Sequence, residues 1–201
     1  INTYEVTIRR KLMYVVTFNT QGSSVDSQTI EEDSFAVAPE TKPTRAGYTF
    51  DGWDFDFSSA ITDKTTINAK WKANTNTPYK VEYYLENLEN NNYTRLDSAT
   101  ENLKDTTDTT VYAEIKTFEH FTAESSSVSA NLNGNGSTVL IVQYQRNEYT
   151  VTFDLDGGSR TGGGALSQKI KYQGNATAPL LTKTGYTFEG FDKSLNNISA
   201  I

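Results

Sequence analysis

The stretch AGYTFDGWD (46–54) returns almost letter for letter as TGYTFEGFD (184–192). A chain that spells one aromatic phrase twice must solve the same packing problem twice. An enzyme seldom needs two copies of a site in so short a chain, whereas a scaffold of small duplicated domains needs two copies of a core. The duplication extends beyond the phrase. VVTFNTQG (15–22) matches TVTFDLDG (150–157), SQTIEEDSFAVAP (27–39) matches SQKIKYQGNATAP (167–179), and Ser59-Ala60-Ile61 returns as Ser199-Ala200-Ile201. The blocks agree while the turn-like text between them varies in length, the mark of duplicated domains.

Period-two alternation places strands in the blocks. Val16 and Phe18 share a face, as do Val151 and Phe153, and TTINAKW alternates through Ile67, Ala69 and Trp71. Between the two copies, YKVEYYLE (79–86) sets Tyr79, Val81, Tyr83 and Leu85 against Lys80, Glu82 and Glu86. Val139 to Val142 is apolar throughout, which predicts a central strand covered on both faces. Helical periodicity is weak. Its best candidates are 110–118 and short stretches after Ala38 and Ala178. Asp-Gly and Gly-Gly pairs at 156–158 mark a hairpin turn. KANTNTP (72–78) reads as a linker, and QRNE (145–148) as a shorter, stiffer one.

The repeated phrase predicts a core. Gly47 and Gly185 permit a sharp entry into a strand. The expected interior is Val16, Phe18, Tyr48, Phe50, Trp53 and Trp71 in the first copy, and Val151, Phe153, Tyr186, Phe188 and Phe191 in the second. The termini add a phase relation. In the register of the first copy, residues 1–10 lie over 62–71, with Val6 on Ile67 and Ile8 on Ala69. Residues 1–12 therefore read as the terminal strand of a preceding repeat, 13–73 as a complete repeat, 77–146 as a different β-rich module, and 147–201 as a repeat lacking its last strand. Strand donation from residues 2–9 to another molecule, head to tail, follows as an expectation.

Charge and residue usage narrow the chemistry. A net charge of −7 repels phosphate backbones, so no nucleic-acid partner is expected. No stretch of 18 apolar residues is present to span a membrane. Cysteine is absent, and His120 is the single histidine, flanked by Phe118 and Phe121 as a strand-end residue would be. One histidine cannot build a zinc site, and GGSRTGGGALSQK lacks the Gly-Lys-Ser/Thr ending of a phosphate loop. The acidic groups Glu31-Glu32-Asp33, Asp54-x-Asp56 and Asp154-x-Asp156 lack the spacing of a calcium loop. No catalytic residue, cofactor or metal is expected.

The pattern V-T-F-x-x-x-G, then A-P, then G-Y-x-F-x-G-W, then an alternating strand closing on Trp71 resembles the internalin-type B repeat (Listeria–Bacteroides repeat) of bacterial surface proteins. Residues 79–146 resemble the mucin-binding-protein-like repeats that accompany it. The resemblance implies an α+β, β-rich fold of tandem β-grasp-like (ubiquitin- or SUMO-like) modules in an elongated rod. It also implies an extracellular location on the surface of a Gram-positive cell, and a non-enzymatic stalk or spacer role that supports adhesion. The alternatives are an adhesin that contacts host protein or glycan through residues such as Tyr84 and Tyr93, and, remotely, a fragment of a hydrolase.

Overall fold

A computed structural model of the protein describes residues 3–199. Among them are strands and one 3-10 turn, Asp97–Ala99, but no α-helix. The protein is all-β, which corrects the expected α+β class and, with no helix to cover a sheet, the β-grasp-like modules. The local reasons are visible. The stretch after Ala38 carries Pro39 and Pro43, and proline inside a helix removes a hydrogen bond and clashes with the preceding turn. Pro179 follows Ala178 directly and opens a strand, while the β-formers Thr110, Val111 and Tyr112 make a strand of their own.

The described chain forms two compact units. The first holds the residues up to Tyr79, together with 104–109 and 131–138. Its strands are β1 (Met13–Asn19), β2 (Gln28–Glu31), β3 (Ser34–Phe35), β4 (Tyr48–Trp53), β5 (Ala60–Ile61) and β6 (Thr65–Ala73). Four of them form a sheet in the order β2-β1-β6-β4. β1 is antiparallel to β2, parallel to β6 in the register Phe18↔Ile67, and β6 is antiparallel to β4 with Phe50↔Trp71. β3 and β5 pair separately. The alternation of β1 and β6 aims Val16 and Ile67 into the core, where both are fully buried beside Ala36 and Ile61, with Tyr14, Phe18, Ile30, Trp53, Phe55 and Phe57 packed around them. A bulge at Gly52, whose φ is +95°, turns Trp53 inward onto Phe18 at 5.1 Å. Residues 72–78 are hydrogen-bonded rather than loose. The Asn74 N–H donates to the Gly47 carbonyl, and Thr77, at the start of β7 (Thr77–Glu86), is buried.

The second unit holds 80–103, 110–130 and the chain from Val139 onward. After β7 come β8 (Tyr93–Arg95), β9 (Glu101–Asp105), β10 (Thr110–Tyr112), β11 (Phe121–Ala123), β12 (Ser129–Asn131) and β13 (Val139–Arg146). The strand order β11-β13-β7-β8, with β9 also on β7, makes β13 a central strand parallel to β7. Only one face of β13 is covered. Leu140, Val142 and Tyr144 are buried, while Val139 and Ile141 are 43% and 49% exposed, which corrects the two-sided burial expected there. The chain continues through β14 (Glu148–Thr152), β15 (Ser159–Gly163), β16 (Ser167–Lys171) and β17 (Pro179–Thr182). β14 pairs with β16 and β15 with β17. The β14–β16 register, Tyr149↔Ile170, repeats the Tyr14↔Ile30 register of β1–β2.

Candidate functional site

Three places concentrate side chains that could do more than fill space. The first lies at Gly47 in the first unit. Gly47 has φ +81°, and a side chain there would meet Gly134 Cα at 2.3 Å, so only glycine permits the approach. The Gly47 carbonyl also accepts from Thr107 Oγ1 at 2.8 Å, and Thr107 Oγ1 meets Thr77 Oγ1 at 2.6 Å. Tyr48 Oη donates to Asp108, and that bond raises the tyrosine pKa. The Arg45 guanidinium lies over the Tyr48 ring at 3.8 Å. Each hydrogen bond here closes on the protein's own backbone or side chains, the pattern of a fastening.

The second place is the polar cluster of the second unit, at the connection from β13 to β14. Glu86 is 6% exposed, although the strand alternation put it with Lys80 and Glu82 on the outer face. Its carboxylate accepts from the Arg146 N–H at 2.9 Å and from Lys171 Nζ at 2.5 Å. Burial alone would raise its pKa. The Lys171 hydrogen bond, the Arg146 N–H and the charge of both residues more than offset that and hold it below the ordinary 4.5. Arg146 also donates to the Glu86 and Tyr172 carbonyls and to Gln173 Oε1, with its guanidinium 5.1 Å from the Phe121 ring. His120, with φ +65°, stacks on Tyr172 at 4.1 Å and shares a 2.9 Å hydrogen bond with Tyr149 Oη. The Asn147 N–H donates to the His120 carbonyl. The one histidine thus anchors a turn. The spacing of β7 gave no sign of this cluster, because the carboxylate, the arginine and the lysine come from three strands far apart in sequence.

The third place is the outer edge of the second repeat. In the first repeat β1 carries β2 on one edge and β6 on the other. In the second, β14 carries β16 alone among the described residues. Beside its free edge runs a groove lined by Val151, Phe153, Phe191, Leu195 and Ile198. Tyr186 and Phe188, expected inside, are 71% and 51% exposed. Val16 is buried, and Phe18, Tyr48, Phe50, Trp53, Trp71, Val151, Phe153 and Phe191 are half-buried. The aromatic arrangement is nevertheless the same in both copies. Phe18–Trp53 and Phe50–Trp53 lie at 5.1 and 5.2 Å, and Phe153–Phe191 and Phe188–Phe191 at 5.2 and 5.1 Å. A second recurring device is a glutamine clamp. The Gln28 amide bonds both the N–H and the carbonyl of Val37, and the Gln168 amide does the same with Thr177.

The acidic groups have local duties. Asp54 accepts from the Asn68 N–H and Nδ2, Asp56 from the Ser58 N–H and hydroxyl, and Asp156 pairs with Lys183; each carboxyl is held below its ordinary pKa by these hydrogen bonds. Tyr84 Oη donates to Glu82 and Tyr93 Oη to Glu124. Tyr83, in the core of the second unit, has its hydroxyl within 2.9 Å of two acceptors, the Glu101 carboxylate and the Glu114 carbonyl, and burial pushes it well above the ordinary range.

Comparison with known family models matches the two copies. The Listeria-Bacteroides repeat domain matches residues 14–80 and 149–195, together more than half of the chain. A protein of Evansella cellulosilytica named "Putative membrane protein" is 25% identical over 202 aligned positions, which cover 89% of this chain and 28% of that protein. The chain therefore spans under a third of the length of this relative. No helix among the described residues is long and apolar enough to cross a membrane.

Proposed function

The chain belongs to the Listeria-Bacteroides repeat domain family, and on that premise we propose that it is a non-enzymatic stalk or spacer region of a bacterial cell-surface protein, exported by a Gram-positive cell, in which it supports adhesion by other parts of the molecule. The observation that carries this reading is where the reactive-looking side chains end. His120, Glu86, Arg146, Asp54 and the two clamp glutamines all bond backbone or packed neighbours. A catalytic or binding group instead aims an unspent donor or acceptor at a space a ligand can enter. The membrane-protein name of the Evansella cellulosilytica relative supports a surface setting. The modules of this region are the repeats at 13–73 and 147–201 and the intervening segment 77–146, read as a mucin-binding-protein-like repeat.

Direct binding of host protein or glycan is the second reading. Val139, Ile141 and Tyr112, exposed on the second unit, are the observation that favours it, since exposed apolar side chains are where contacts form. Glycan arrays and immobilised matrix proteins separate the two. The spacer reading expects no saturable binding by the 201-residue chain up to ~100 μM, a threshold equivalent to about 5.5 kcal/mol. Saturable binding lost in Ile141→Asp establishes the adhesin instead.

A further inference from the structure

The loop that reaches the Gly47 fastening carries a chemistry that a spacer does not use. Residues 131–138, NLNGNGST, hold two Asn-Gly pairs, Asn133-Gly134 and Asn135-Gly136. An asparagine followed by glycine is able to close on itself: the glycine nitrogen attacks the asparagine side-chain carbonyl, and a residue without a side chain leaves that nitrogen unshielded. The reacting atoms belong to adjacent residues, so the step is intramolecular. Both asparagines are exposed, and each has its Oδ1 held by the N–H two residues on. The Asn135 N–H donates to Asn133 Oδ1 at 3.2 Å, and the Ser137 N–H donates to Asn135 Oδ1 at 2.9 Å. Such a donor stabilises the negative charge that attack places on the oxygen.

The two pairs differ in their nucleophile. The Gly136 N–H is spent on the Asn133 carbonyl at 3.0 Å, and Gly136 itself, at φ +75°, lies against Pro78. The Gly134 N–H has no acceptor among the described residues. The pairs also differ in what depends on them. Gly134 lies so close to the Ala46–Gly47 turn that a Cβ on it would stand 2.3 Å from the Ala46 carbonyl oxygen. On the other side of Asn133, Leu132 is fully buried and its N–H donates to the Thr109 carbonyl at 2.9 Å. The main chain from Leu132 to Gly134 thus runs between two fixed points with no slack. All of these residues belong to the first unit.

We propose that Asn133 is a site of spontaneous deamidation and isomerisation that loosens the first unit. The Gly134 nitrogen loses its proton to hydroxide and bonds to Asn133 Cγ. The Cγ–Nδ2 bond breaks, and the amide nitrogen takes a proton from water and leaves as ammonia. The succinimide so formed takes up one water. Opening at Cγ gives aspartate. Opening at the main-chain carbonyl gives isoaspartate, whose main chain runs through Cβ and Cγ and is one methylene longer. No oxidant or reductant takes part. The extra methylene falls between Leu132 and Gly134 and pushes Gly134 out of its place against Gly47, whose carbonyl holds Thr107 and whose neighbour Tyr48 holds Asp108. The site stands apart from the spacer reading and needs no partner.

Peptide mapping by mass spectrometry, after incubation of the 201-residue chain at mildly alkaline pH, tests it. In the folded chain Asn133 should gain one mass unit severalfold faster than Asn135, with isoaspartate among the products, and the rate should rise with pH because the glycine nitrogen must lose its proton. In urea, where neither glycine is held, the two pairs should react at similar rates. Trp53 and Trp71 lie in the first unit and report its unfolding. Aged wild-type chain should develop an earlier urea transition in tryptophan emission, in proportion to its isoaspartate. Asn133→Gln, a change at an exposed position, should keep the wild-type circular dichroism when fresh and develop no such transition on ageing. Freshly made Asn133→Asp adds the charge without the methylene and should unfold with fresh wild type. Four results overturn the proposal: an Asn135 that reacts as fast as Asn133 in the folded chain, an Asn133 that reacts only in urea, an isoaspartate-bearing chain that unfolds like aged Asn133→Gln, or a fresh Asn133→Asp as weak as the aged protein.

Discussion

In the first repeat Tyr48 and Phe50 sit in β4, paired with Ala73 and Trp71 of β6; in the second Tyr186 and Phe188 follow the same glycine, lie outside any strand and face solvent. The local chemistry of the two copies is nearly interchangeable. Gly47 and Gly185 have φ of +81° and +80°, and Tyr48 and Tyr186 each donate their N–H to the carbonyl of the residue three before and carry a cation on their ring. What differs is the environment that receives the phrase. A side chain at Gly47 would collide with Gly134, whereas one at Gly185 would meet nothing within 4 Å. Turn geometry and aromatic clustering are thus properties of the phrase, and strand formation is a property of what lies beside it.

The comparison breaks most readily at β6. Ile67→Ala removes a fully buried side chain from the only repeat in which that strand is present among the described residues, and should cost ~3–4 kcal/mol. Both tryptophans, Trp53 and Trp71, belong to the first repeat, so urea titration followed by tryptophan emission reads that repeat alone. A loss below ~1 kcal/mol would mean that β6 does not hold the first repeat together.

Equivalent aromatics sharpen it next. Trp53→Ala should cost ~3 kcal/mol and Phe191→Ala only ~1 kcal/mol, because a side chain in a half-formed core gives up less buried area on truncation. Urea titration on Trp71 emission reports the first, and amide exchange in β14 and β16 reports the second. Equal costs would show that the second core is as complete as the first.

Charge separates the copies at one register position. Glu31 of β2 and Lys171 of β16 are equivalent, yet Glu31 meets Lys11 with about half of each side chain in water, while Lys171 meets buried Glu86. Glu86→Ala leaves Lys171 and the Arg146 N–H without their acceptor and should cost ~2–3 kcal/mol, at or just below the low end for a broken buried pair because Lys171 remains a third exposed. The pH dependence follows from the lowered Glu86 pKa. A carboxyl depressed by folding contributes fully above its unfolded value, near 4.5, and loses that contribution as pH falls through the folded value below it. Amide protection around β16, taken relative to the intrinsic exchange rate at each pH, should therefore fall below about pH 4.5, and Glu86→Gln should flatten the change. An unaltered pH profile in Glu86→Gln would dismiss the carboxylate as its source.

The smallest effect tests sameness. Gln28→Ala and Gln168→Ala each delete the two hydrogen bonds to the clamped segment, Gln168→Ala also the one to the Ala165 carbonyl, and each should cost ~1 kcal/mol, with Gln168→Ala the larger by no more than a few tenths because that third bond is exposed. A wider gap in urea titration and exchange would show that the clamp depends on the completed sheet.

Much of this was legible in the residues themselves. The alternation of Val16 and Phe18, the alternation through Ile67, and the block matches all translate into register, since side-chain period is enough to orient a strand. Glu86 was misplaced because period two says which face a residue occupies and not whether another strand later covers that face. Val139 and Ile141 were misplaced for the converse reason: an apolar residue can sit on a face that nothing covers. The expected helices failed through prolines and β-branched residues that local reading could have weighed more heavily.

By itself the sequence determined that there are two copies of one module, where their turns and clamps lie, and which side chains alternate, because these depend on neighbours within a few residues. Only the tertiary structure decided that nearly the same nine residues make a paired strand once and chain outside any strand once. A strand is half an object; its hydrogen bonds and its buried face exist only when a second segment, distant in sequence, lies beside it.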